Sequence, residues 1–347
     1  MEATLPSESI VEAVEEAGLV YVHDTGPGIR RERKGEGFTY LKPKGGEVTD
    51  EKTLARIRSL AIPPAYERVW ICPKANGHLQ ATGIDARGRK QYRYHPGFRE
   101  ARDAHKFHKL AEFGAKLPEV HRQIEADKAR KGLPKEKVLA TVVDLLERSL
   151  IRVGNEQYAK DNDHYGLTTM ENRHVEVKGG EVDFHFVGKS GVKHDIELRD
   201  RKLAKVVKQM QDLPGQSLFE YVGENGEPHG VTSGDVNEYL HGIAGDEFTA
   251  KDFRTWAASV QALEALVAKG IPGTKKEAKA AVTETMKAVS KELGNTPTVC
   301  RKCYVHPAVV AAFETGKLPT HQKAEEALIA MLEEEAKEKE AAAKSAA

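Results

Sequence analysis

The sequence predicts an α+β protein of two domains. An N-terminal antiparallel β-sheet domain spans 1–97, and a larger, mainly α-helical domain containing a small three-stranded β-sheet spans 98–347. Three observations carry this. The chain has 347 residues, 39% of them hydrophobic, enough to build two cores. Residues 68–95, "RVWICPKANGHLQATGIDARGRKQYRYH", break into short strand-like pieces at Asn76-Gly77 and Arg87-Gly88. After Pro96-Gly97 the pattern turns helical and charge-rich, in "HPGFREARDAHKFHKLAEFGAKL".

The elements follow in order. Asn76-Gly77 is a two-residue hairpin signal, so 68–95 reads as a β-meander. In "KEKVLATVVDLLERSLIRVGNEQY", Val138, Leu139, Val142, Leu145, Leu146 and Leu150 recur at helical spacing, with Gly154 or Asn155 as the expected left-handed cap. Arg152 is therefore expected near a helix end. "RHVEVKGGEVDFHFVGKSGVKHDIEL" alternates apolar and polar residues across two glycine turns, Gly179-Gly180 and Gly188 to Gly191, which predicts a three-stranded antiparallel sheet with Lys189 at a hairpin tip. Further helices are expected around 202–210, 233–241, 251–268 and 275–293, and from Gln322 onward.

Composition narrows the setting. No apolar run is long enough for a membrane span, and the acidic N-terminus is unlike a secretion signal, so a cytoplasmic protein is expected. Three cysteines, Cys72, Cys300 and Cys303, are too few to staple such a chain and read as thiols. Formal net charge is zero, yet the charges are unevenly spread. Glu2, Glu8, Glu12, Glu15, Glu16 and Asp24 precede any Lys or Arg, and the tail is again acid-rich. From Asp24 to Lys106, eighteen Lys and Arg face ten Asp and Glu, an excess of eight that can serve a polyanionic partner if it clusters.

Several motifs bear on chemistry. Gly188-Lys189-Ser190 suggests a phosphate loop, but the glycine that motif needs falls at position 183, which is Asp; there is no ATP loop. Cys300, Cys303 and His306 recur at three-residue intervals and on a continuous helix would share a face. Three ligands fall short of a structural zinc set, and no metal is assigned. "FTAKDFRTWAAS" offers Thr249 as an N-cap with Arg254 on the helix that follows. "NTPTVCRKCYVHP" sets Tyr304 among two cysteines, two bases and a histidine. Taken singly, these side chains are equally compatible with surface pairing, capping and packing. Taken together, "IRVGNEQY", "FVGKSG", "TAKDFRTW" and "NTPTVCRKCYVHP" each place a cation, an amide or a phenol at a loop, helix end or first helical turn.

In that order the four blocks resemble the type IB DNA topoisomerases, specifically the poxvirus-type enzymes and their bacterial relatives. The resemblance runs from "PPAYERVWICP" through the tyrosine block and implies the fold shared by the catalytic domains of these enzymes and the tyrosine recombinases. It also implies an ATP-independent, metal-independent isomerase without cofactors, a monomer that closes as a C-shaped clamp on double-stranded DNA. By the same resemblance the catalytic set is Arg152, Lys189, Arg254, Asn295 and Tyr304. Gln91, Tyr92 and Tyr94, together with Asn155 and Tyr158, are the implied DNA contacts. Many members have His at the position of Asn295; an amide can donate a hydrogen bond to a phosphate oxygen but carries no charge.

The implied reaction explains why such groups are needed. A phenol that displaces a sugar oxygen from phosphorus exchanges one phosphodiester for another, so no energy source is required. Charge accumulates on the non-bridging oxygens, where Arg152, Arg254 and Asn295 would donate. The 5′-oxygen is a poor leaving group beside phenolate, whose conjugate acid has a pKa of about 10, and Lys189 would protonate it, with Arg152 sharing the relay. Two other readings remain open at this level. A tyrosine recombinase shares the chemistry, though it usually has His-x-x-Arg where this chain has Lys251-Asp252-Phe253-Arg254; a non-catalytic DNA-binding or zinc-binding protein would leave Tyr304 dispensable.

Overall fold

In the computed structural model, residues 11, 14–15, 17–98, 106–107, 109–319 and 323–346 are described. Glu2, Glu8, Glu12 and Glu16 of the acidic N-terminus, most of the segment after Phe98, and Gln322 lie outside them. The chain divides into two compact units, Met1–Phe107 and His108–Ala347.

The first unit is built on a five-stranded antiparallel sheet. Its strands are β1 (Ile29–Lys34), β2 (Gly37–Leu41), β3 (Glu67–Ile71), β4 (Leu79–Ile84) and β5 (Lys90–Tyr94), in the order β2-β1-β3-β4-β5. Ile29, Val48, Ile57, Val69, Ile71 and Ala81 form its core, with Ile57 supplied by helix α1 (Glu51–Ser59). The hairpin β1–β2 is absent from the sequence reading because "IRRERK" has one buried side chain, Ile29, and its charged residues hide the alternation.

The turn expected at Asn76-Gly77 is different. Strand β3 ends at Ile71 and β4 starts at Leu79, so the connection is the longer loop 72–78. Tertiary contacts impose it: the buried Gln80 amide donates to the carbonyls of Lys74, Ala75 and Gly77, while Val20 exchanges backbone bonds with Asn76 and His78. At the other turn, Gly88 has φ +76° and the Asp85 carboxylate accepts from the Arg87 and Arg89 amides, a side-chain-capped turn.

The second unit is mainly helical. Helices α2 (Leu110–Lys128) and α3 (Lys135–Ser149) pack together, and α3 buries Val138, Leu139, Val142, Leu145 and Leu146. Its left-handed cap is Leu150 (φ 54°), in place of the expected Gly154 or Asn155. Gly154 does adopt φ +107°, farther along the loop, and Asn155 instead caps the start of α4 (Glu156–Asn162) by accepting from the Tyr158 amide.

The small sheet follows: β6 (Val175–Lys178), β7 (Glu181–Val187) and β8 (Lys193–Arg199), paired in that order, with Lys189–Gly191 forming the turn between β7 and β8. Val182, Phe184 and Phe186 alternate into the core. Next come α5 (Arg201–Gln211), a two-stranded ribbon of β9 (Glu220–Val222) and β10 (Pro228–Gly230), and α6 (Ser233–Ala244). Helices α7 (Ala250–Lys269), α8 (Lys275–Glu292), α9 (Pro297–Cys303), α10 (Pro307–Glu314) and α11 (Ala324–Ala346) complete the unit. Among the described residues, no helix is long and apolar enough to cross a membrane.

Candidate active site

Arg152 leaves α3 on an extended loop. Its carbonyl accepts from the Leu167 amide at 2.9 Å, and Val153 accepts from Thr168 at 2.7 Å. Gly166 permits this pairing, because a Cβ there would fall 2.6 Å from the Arg152 carbonyl oxygen. One residue earlier, the Tyr165 amide donates to Val187 at the end of β7. Backbone hydrogen bonds thus tie the Arg152 loop to the base of the Lys189 turn.

Arg254 sits in the first turns of α7, after a capping box in which Thr249 accepts from Lys251 and Asp252 accepts from the Thr249 amide. It is 4% exposed. Its Nη2 donates to the Leu293 carbonyl at 2.6 Å, and its Cζ lies 5.5 Å from the centroid of the Tyr304 ring, whose side chain also hydrogen-bonds it. Burial, reinforced by the nearby Arg152, lowers its pKa to about 10, against the smaller opposing pull of Tyr304. The guanidinium therefore stays charged at neutral pH inside a poorly solvated site.

Asn295 follows the end of α8 through Gly294, which turns the chain at φ +59°. Its carboxamide oxygen accepts from Arg152 Nη2 at 2.7 Å. That bond leaves the amide NH2 as the group to donate elsewhere. Asn295 Nδ2 and Arg254 Nε are both buried without a hydrogen-bond partner, two donors suited to an oxygen-rich anion.

Tyr304 caps α9 with φ −130°, ψ −34°. The helix stops there, so Cys300, Cys303 and His306 do not share one helical face; His306 is extended and caps α10, its Nδ1 accepting from the Ala308 amide. Cys300 is buried, which pushes its thiol up to about 11. Among the described residues, no three His, Cys, Asp or Glu side chains gather as metal ligands would.

Sequence reasoning missed Ser259 and His194. Ser259 is completely buried on α7, the helix of Arg254; its hydroxyl lies 3.2 Å from the Tyr304 carbonyl and accepts from the His306 amide at 3.0 Å. His194, at the start of β8, is half-buried and lies close to Arg152 and Arg254, so that burial first and then both charges disfavour its protonation. No motif marks either residue.

Of the five expected catalytic side chains, Arg152 and Asn295 are bonded to each other, as are Arg254 and Tyr304, and Arg152 lies near enough to Arg254 to lower its pKa. Lys189 stands over the Tyr158 ring, with Nζ 5.9 Å from its centroid. Tyr158 is thereby joined to the Lys189 turn, while Asn155 is occupied as a helix cap. In the first unit, Tyr92 is exposed and stacks on Tyr94 at 6.0 Å, with Lys90 5.5 Å from its ring; the Gln91 amide donates to Asp85.

The family model for the catalytic core of eukaryotic DNA topoisomerase I matches residues 95–332, and that for the N-terminal domain of bacterial DNA topoisomerase IB matches 37–85. DNA topoisomerase 1B of Acanthamoeba polyphaga mimivirus is 31% identical over 285 residues, covering 80% of this chain and 85% of that protein. DNA topoisomerase 1B of Vaccinia virus (strain Copenhagen) is 24% identical over 254 residues, covering 71% and 75%. DNA topoisomerase 1 of Rabbit fibroma virus (strain Kasza) is 24% identical over 256 residues, covering 71% and 74%.

Proposed function

The chain belongs to the type IB DNA topoisomerases, and on that premise we propose that it relaxes supercoiled duplex DNA through a 3′-phosphotyrosyl intermediate on Tyr304, without ATP or metal. The observation that carries this reading is the pairing of Arg254 with Tyr304 beside the Arg152–Asn295 hydrogen bond, where two buried donors still lack acceptors.

The Tyr304 hydroxyl oxygen attacks phosphorus and gives up its proton to water, while the bond from phosphorus to the 5′-oxygen breaks. Arg254 is suited to hold charge that passes from the phenol oxygen to the phosphoryl oxygens. Arg152 and the Asn295 NH2 donate to the same oxygens; losing one such donor typically costs about a hundredfold to a thousandfold in rate. Lys189 gives a proton to the departing 5′-oxygen, with Arg152 sharing that relay, and takes it back when the hydroxyl returns to seal the strand. Between the two steps the free end swivels. The family match displaces the recombinase reading, and the Arg254–Tyr304 contact supports a chemical role for the tyrosine against a purely DNA-binding one.

The finer readings belong to the same proposal. The N-terminal β-rich domain binds DNA through Gln91, Tyr92 and Tyr94, and the catalytic domain does so through Asn155 and Tyr158. The protein works as a monomer and closes on duplex as a clamp, with phosphate contacts giving salt-dependent affinity. The deciding experiment is plasmid relaxation in EDTA without ATP, followed by peptide mapping of the DNA-linked residue. Relaxation with DNA attached at Tyr304 is expected; attachment elsewhere, or failure without ATP or metal, rejects the reading.

A further inference from the structure

We infer that His194 is a positioning residue for the reaction: its ring, backed by the Gly294 backbone, seats the Lys189 turn and so places the lysine. The inference rests on the reading of Lys189 given above.

His194 pairs directly across the sheet with Phe186, and the two rings stack at 4.8 Å with an interplanar angle of 11°. Phe186 is buried in the main core, so the stack anchors the imidazole to the rigid part of β7. From that anchor the ring reaches two backbones. A Cβ on Gly188, the residue before Lys189, would fall 2.8 Å from ring atoms Cδ2 and Nε2. A Cβ on Gly294, the residue before Asn295, would fall 2.8 Å from Cε1 and 3.3 Å from Nε2. The imidazole therefore fills a gap that exists only because both neighbours lack side chains. Each glycine immediately precedes a residue of the catalytic set, so one flat ring is the contact through which the turn and the loop are spaced.

The charge state suits this role. Burial, then Arg152 and Arg254, hold His194 below the ordinary histidine pKa, with Asp195 opposing, so protonation of the ring is disfavoured beside the two arginines. A third cation here would push against them; a neutral plate does not.

The test uses the full-length protein with His194→Ala, Gly188→Ala and Lys189→Ala, and single-turnover cleavage of two substrates, one with the natural 5′-oxygen at the scissile bond and one with sulfur there. Gly188 has φ −92° and ψ −171°, which alanine adopts readily, so its methyl acts by displacing the ring. The His194 and Gly188 variants are each expected to slow cleavage of the oxygen substrate by about tenfold or more, a share of what a general acid contributes. On the sulfur substrate, which leaves without a proton, they should come within about threefold of wild type. A general loss of folded or active enzyme would slow both substrates alike, and that result, or no slowing on either, overturns the inference. If His194→Ala does not fold, Gly188→Ala decides by the same two rates. Lys189→Ala reports separately on the general-acid reading. Should sulfur fail to rescue it, the role of His194 is decided by the Lys189→Ala/His194→Ala double variant. That variant must be no slower than Lys189→Ala alone if His194 acts through the turn, and multiplied losses would overturn the inference.

Discussion

Arg152 donates a 2.7 Å hydrogen bond to the carboxamide oxygen of Asn295, joining residues 143 positions apart. The bond orients the amide, because with its oxygen occupied only the NH2 can serve an anionic ligand. A histidine can repeat the arrangement, accepting from Arg152 on one ring nitrogen and donating from the other. Asn295→His is therefore expected to keep activity, while Asn295→Ala loses about a hundredfold to a thousandfold in single-turnover cleavage. Asn295→Asp should lose more, since its carboxylate pairs with Arg152 and repels the phosphate. An inactive histidine variant would show that the pocket accepts the amide alone.

The proposed nucleophile has the plainest test. Tyr304→Phe keeps the ring under Arg254 and removes the oxygen, so it should bind supercoiled plasmid and yield no covalent adduct on denaturing gels. Adduct at the wild-type level would place the nucleophile elsewhere.

Lys189 lies on the turn between β7 and β8, over the Tyr158 ring. Lys189→Ala should slow cleavage of ordinary DNA by about a hundredfold to ten-thousandfold and recover with sulfur in place of the 5′-bridging oxygen. Persistence of the defect on the sulfur substrate would count against a proton donor at this position.

Arg254 sets stability against activity. Its pKa is depressed to about 10, below the ordinary arginine value, so the folded state binds the proton less tightly than the unfolded chain. The buried charge therefore costs stability at every pH below about 10, by roughly 3 kcal/mol, and the cost fades as pH rises from there toward the ordinary arginine value. Arg254→Met should abolish cleavage yet melt no lower than wild type at neutral pH, the lost bond to Leu293 being offset by removal of the buried charge. A large fall in melting temperature would show that the guanidinium holds the fold together.

Ser259→Ala should act in the opposite direction. It leaves the His306 amide buried without its acceptor, at about 1–3 kcal/mol, and loosens the backbone on both sides of Val305. Lower thermal stability together with slower cleavage is expected; unchanged values in both would show that the hydroxyl is replaceable by water.

The legible parts of the molecule were those whose signals are local. Alternation gave away β6 to β8 and placed Lys189 on a turn, because successive side chains on a strand face opposite sides and the glycines interrupt the pattern. Thr249 announced the start of α7, and with it Arg254, since a hydroxyl that caps the helix must directly precede it. The strands β1 and β2 were hidden by charged outward faces, and Asn76-Gly77 misled because its loop is shaped by Gln80 and Val20 rather than by the turn itself.

The family, and the types and order of the residues proposed for the site, were legible in the sequence alone, since each proposed chemical role demands a particular functional group and the motifs supply it in order. Proximity was decided by the tertiary structure. Nothing local in "GVKHDIEL" or "ELGNTP" says that His194 meets Gly294 or that Asn295 meets Arg152; those contacts arise where β8, the end of α8 and the loop after α3 pack, and such packing depends on the shapes of many side chains distant in the chain.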